Sequence, residues 1–184
     1  MNRREFLKKA GLGSLAAASL PALADVLGMP GTASAHGGTG FYFVVVSLAA
    51  PPDAIILTGA GRFGSEDAHG GGSFTHFQAT GKPPFPVVGS GRWLPTCQVG
   101  FTPTSPPAFG AIRSGILEML VRLYPTGGRA ISGVTMKVVC NLPGAETGEE
   151  EGVTLTVPGA PFGSFVPSDP PSGVTAFTTI PPRV

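Results

Sequence analysis

Three histidines and two cysteines could bind metals, move protons or join to one another covalently: His36, His69, His76, Cys97 and Cys140. Two of the histidines fall within one short run, His69-Gly-Gly-Gly-Ser-Phe-Thr-His76-Phe77. A His-Gly-Gly-Gly segment can aim backbone N–H groups at an oxyanion. That chemistry needs a serine in Gly-x-Ser-x-Gly on a strand-to-helix turn, and the pentapeptide does not occur. Gly70 to Gly72 also lack the G-x-G-x-x-G or Walker spacing that cradles phosphate ahead of a helix. Acid–base work by His76 would recruit Glu66 or Asp67. Strand alternation puts His76 on one face with Phe74 and Gln78, where a histidine more often serves in structural hydrogen bonds. The plainer expectation is a polar connection over residues 65–72, with Ser73 opening a strand.

The chain opens with Arg3 and Arg4, then Glu5, Phe6, Leu7 and Lys8. This run resembles the twin-arginine (Tat) export signal, with Asn2 standing where Ser or Thr is usual. A positive stretch precedes a mildly apolar Gly/Ala/Leu segment, and Ala33-Ser34-Ala35 has the form of a signal-peptidase site. Gly11, Gly13, Pro21 and Asp25 interrupt the segment, which falls short of the roughly 18–20 apolar residues of a spanning helix. No cysteine stands at the cleavage region, which disfavours a lipid anchor. Residues 1–35 are therefore expected to be a helical leader, and residues 36–184 a single domain with a frayed C-terminal tail. The resemblance implies the Tat machinery and signal peptidase as partners and export in a folded state.

Cleavage after Ala35 takes Arg3, Arg4, Lys8 and Lys9 from twelve basic residues, and Glu5 and Asp25 from eleven acidic ones. The remainder is near neutral. This argues against nucleic acid and anionic membrane surfaces, which favour basic faces. Cleavage would also make His36 the new N-terminus, offering an α-amine beside an imidazole. Copper monooxygenases and some copper carriers on β-sandwiches use an N-terminal His with a second His, and His76 or His69 would be that partner. The further motifs of those families are not present.

Positioning these groups falls to short segments rich in β-branched and aromatic residues, each bounded by turn residues: 41–48, 54–59, 73–79, 87–94, 116–124, 134–140, 152–157 and 174–179. No long helical period separates them, so the class is all-β. An antiparallel meander of about eight strands, closed or nearly closed into a barrel, is expected, with a two-sheet sandwich as the alternative. Pro/Gly-rich loops at 81–86, 102–110 and 158–173 would sit at its ends.

One hairpin can be registered. A two-residue turn at Gly127-Gly128 sets Leu123 opposite Ser132, Val121 opposite Val134, Met119 opposite Met136 and Leu117 opposite Val138, an apolar face. The other face pairs Arg122 with Gly133 and Glu118 with Lys137, giving Glu118 a cross-strand ion pair rather than a catalytic role. The same register sets Cys140 opposite Gly115. Cys97 lands at about that level if its strand turns near Pro106. An exported chain with two cysteines suggests a Cys97–Cys140 disulfide. Thiols flanking a middle strand would instead stand about 9–10 Å apart, beyond bridging reach.

The acidic run Glu146 to Gly152 lacks calcium-loop spacing and reads as a solvated turn. Eleven phenylalanines outside the leader suit a dry core, or an apolar pocket in a barrel mouth. Trp93, Tyr42 and Tyr124 are too few to make a sugar-binding platform. The expected function is an exported soluble β-domain serving as a structural or interaction module. An apolar-ligand-binding barrel is the first alternative and a copper protein built on His36 the second.

Overall fold

The structure is a computed structural model that describes residues 38–49, 53–64, 67–80, 83–104 and 110–180. Arg3, Arg4, Phe6, Leu7, Lys8, Ala33, Ala35, His36 and Glu66 lie outside the described residues. The strands are β1 (Gly38–Ala49), β2 (Asp53–Phe63), β3 (Ala68–Gln78), β4 (Val87–Pro103), β5 (Ile112–Arg113), β6 (Gly115–Pro125), β7 (Ile131–Cys140), β8 (Gly152–Thr156) and β9 (Ser164–Ile180). Eight of them form a closed antiparallel meander in the order β1-β2-β3-β4-β6-β7-β8-β9, with β9 returning to β1. The barrel is therefore realised and the sandwich is not. Two-residue β5 pairs with the end of β9, Ile112 with Thr178 and Arg113 with Phe177.

Alternation drives closure. Phe41, Phe43 and Val45 on β1, Ile55 and Leu57 on β2, and Leu117, Met119 and Val121 on β6 all point inward, as do Val134, Met136 and Val138 on β7. Each inward side chain stays dry only if the sheet curls over it, so one continuous core forms. A small outer cluster of Leu48, Ala54 and Ala79 lies beside Val46 and Phe85.

The hairpin register holds for Leu117–Val138, Glu118–Lys137, Met119–Met136 and Val121–Val134, and Cys140 does fall opposite Gly115. At the turn the register differs: Leu123 pairs with Ile131, not Ser132. Gly128 N–H donates to Pro125 O and Gly127 sits at φ 74°, so the chain reverses one residue earlier than a Gly-Gly turn would. Gly133, at φ 72°, absorbs the extra residue as a bulge and restores the pairing. Lys137 Nζ pairs with Glu149 Oε2 from the acidic loop, so its carboxylate partner is not Glu118.

Two other expectations fail for one shared reason: residues that usually break strands continue them. β9 begins at Ser164 rather than near Val174, and residues 168–171 loop out between Pro167, opposite Ser47, and Ser172, opposite Val46. Residues 68–72 are no connection, because β3 starts at Ala68 and carries all three glycines.

Their role is steric. Trp93 projects inward from β4, wholly buried, and stacks on Phe43 with ring centroids 5.7 Å apart and planes 8° from parallel. Its Nε1–H donates to Thr58 O at 2.9 Å. A Cβ on Gly72 would lie 1.8 Å from Thr58 O and 2.7 Å from that Nε1. A Cβ on Gly59 would lie 2.4 Å from Trp93 Cζ2 and 2.5 Å from Phe43 Cζ. Glycine on β2 and β3 is thus the floor on which the aromatic stack rests. Phe41, Phe63, Phe101 and Phe177 extend the stack toward the end where β1 begins.

Candidate functional site

Of the chemistry-bearing residues, the fold brings two together: His76 and Asp53. Asp53 opens β2 opposite Gln78, while His76 lies opposite Ile55, so the two are diagonal neighbours facing inward at the barrel end where β1 finishes. Nε2 of His76 stands 3.4 Å from Asp53 Oδ1, with 18% and 13% of the side chains exposed. That is ion-pairing distance, yet Nε2 makes no hydrogen bond. Phe162, from the connection before β9, and Phe165 in β9 meet the imidazole edge-to-face, each with centroids 5.2 Å away. A carboxylate beside a histidine can orient the ring and stabilise its charged form. A nucleophile would have to stand within about 3 Å of the ring. The hydroxyl of Ser47, on the same row as His76 across Ile55, instead donates to Val153 O at 2.6 Å.

Asp53 went unnoticed in the sequence, where it follows Pro51 and Pro52 as a loop residue would. Alternation with Ile55 and Leu57 was the available signal. Of the two carboxylates paired with His76 from sequence, Glu66 lies outside the described residues and Asp67 does not reach it. Asp67 lies in the β2–β3 turn at the opposite end, where its carbonyl accepts from Gly64 N–H.

The copper reading also meets the register. His76 shares a row with Ser47, nine residues along β1 from Gly38, or about 30 Å at strand rise. His36 lies outside the described residues, so the register places only His76 and His69. His69, on the row of Arg62 and Gly40, is seven residues from His76 along β3, about 23 Å. Among the described residues no three His, Cys, Asp or Glu side chains group to hold a metal ion.

The cysteines are separate and free. A turn near Pro106 would set Cys97 opposite Gly115, but it is Pro103 that pairs with Gly115. Bulges at Thr96 and Val99 set Cys97 opposite Leu120. Cys97 therefore lies five residues along β6 from the Gly115 row that holds Cys140, about 17 Å and well past the roughly 7 Å limit of a bridge. Cys97 is exposed on the outer face. Cys140 is buried, and its thiol donates to Thr175 O at 3.4 Å. Burial pushes the Cys140 thiol above its ordinary value and the Glu151 carboxylate adds to the rise, while hydrogen bonding at Thr175 and Phe177 opposes it. Thr175 Oγ1 lies 2.8 Å from Val139 O and 2.9 Å from Glu151 Oε1. These bonds join β7 to β9 where β8, only five residues long, leaves the ladder open.

Comparison with family models, curated proteins and solved structures gives no match to this chain.

Proposed function

We propose that this chain is an exported β-barrel domain that acts through its outer surface as a structural or interaction module. The observation that carries this reading is the set of large apolar side chains that crowd the barrel interior. Trp93, Phe43, Phe165, Phe177, Leu57, Leu117, Met119 and Met136 are all wholly buried. Glycines at 59 and 72 fit the stack so closely that the space reads as built for protein rather than for a guest. An apolar interior is also the reverse of a membrane-spanning barrel, whose lumen is polar and whose outer face is apolar. Here Glu118, Arg122 and Lys137 project from the outside of β6 and β7.

Export rests on the leader: the paired arginines with Phe6-Leu7-Lys8, and the small residues Ala33 and Ala35. The test is native mass spectrometry of the protein collected outside the cell. The expected mass is that of residues 36–184, or a whole-number multiple of it, with no other molecule added. A bound apolar molecule or copper ion would overturn the module reading. Unprocessed chain retained in the cytoplasm would overturn export.

A further inference from the structure

The outward residues of β6 read Ile116, Glu118, Leu120, Arg122 and Tyr124, alternating with buried Leu117, Met119, Val121 and Leu123. In character this row is apolar, acidic, apolar, basic, apolar. It is its own complement when the strand direction is reversed about Leu120. We propose that this face of the barrel pairs with the same face of a second copy, about a two-fold axis that lies in the interface and crosses the strands at Leu120.

Under that symmetry Leu120 meets Leu120, Ile116 meets Tyr124, and Glu118 of each copy meets Arg122 of the other, so both charge pairs form at once. The neighbouring strand follows the same rule. On β4, Cys97 stands beside Leu120, Leu94 beside Arg122 and Gly100 beside Glu118. Leu94 therefore faces the side-chain-free Gly100 of the other copy, and Cys97 faces Cys97. Leu94 is 46% exposed, Val99 58% and Tyr124 37%, so an apolar strip runs along β4 and β6 with no described residue covering it. Arg122 is held on this outer face by its Nε–H, which donates to Ser132 Oγ at 3.0 Å. An isologous contact with an apolar centre and charged flanks has the composition of a specific interface. This inference rests on the reading of the barrel as a module acting through its outside, and it names the partner.

Sedimentation equilibrium under reducing conditions tests it, with circular dichroism confirming that each variant folds. The expected result is a dimer. Glu118→Arg and Arg122→Glu each place like charges together twice and should weaken it at least about tenfold. The double variant exchanges the charges and should recover affinity to within about threefold. Leu120→Asp should give a monomer; if it does not fold, the charge exchange carries the test alone. A short bismaleimide should link Cys97 to Cys97 in the parent and the double variant only. A parent that stays monomeric at about 100 μM, where a micromolar dimer would be nearly complete, overturns the proposal. So does a double variant no tighter than the single reversals. Neither result bears on the mass measured for the exported protein, which tests the module reading separately.

Discussion

Replacing Gly59 with alanine adds one methyl group between the two stacked rings of the barrel core. Its ideal position is 2.4 Å from Trp93 Cζ2 and 2.5 and 2.8 Å from two atoms of the Phe43 ring. Carbon atoms normally rest about 3.5–4.0 Å apart, so two rings must each retreat by about 1 Å. Neither has room, since both are wholly buried and Trp93 is tied to Thr58 O. Overpacking of this kind costs about 1–3 kcal/mol, and clashes on two sides put Gly59→Ala near about 3. In a domain of this size that lowers the melting temperature by about 6–12 °C. Thermal melts followed by far-ultraviolet circular dichroism measure it. Gly64→Ala is the control, because nothing lies within 4 Å of its added carbon. Trp93→Phe removes one of the colliding rings, so the double variant should be milder than the sum of the singles by at least about 0.5 kcal/mol. A Gly59→Ala protein melting within about 2 °C of the parent, or strictly additive behaviour, would refute the claim that these glycines exist to seat the stack.

Three further outcomes follow from the polar groups. A maleimide should label native protein once, at Cys97, and reach Cys140 only on unfolding. Because folded Cys140 keeps its proton to higher pH than the unfolded chain does, stability should fall as pH rises above about 8.5, by up to about 1.4 kcal/mol per unit. Denaturant titrations of Cys140→Ala should lack that slope. Glu149→Gln removes the exposed Lys137 pair and should cost under about 1 kcal/mol, vanishing in molar salt; a larger, salt-independent loss would mean that the acidic loop is anchored otherwise.

The β6–β7 hairpin was legible because alternation runs unbroken from Gly115 to Pro125, and a one-residue slip would bury charge. Its turn was not, because Gly133 could take up a residue without disturbing the pattern on either side. Glycine and proline hid more. Gly70 to Gly72 have no side chains to alternate, so in that half of β3 it is Trp93, arriving from β4, that shows which face is inside. Pro95 reads as a stop, yet at the first β4 bulge its missing N–H is tolerated, and the strand runs on through Cys97 to Pro103. Asp53 and His76 are 23 residues apart and meet only through the β2–β3 register, which no local pattern displays.

Gly38 and Ile180 are hydrogen-bonded neighbours on β1 and β9. Whatever is fused to either terminus of the domain is thereby hung from a single pole, like a lantern from its hook. The far pole, with the 126–130 turn, Asp53 and His76, points away from any attachment, while the staves of β4 and β6 hang free at the side.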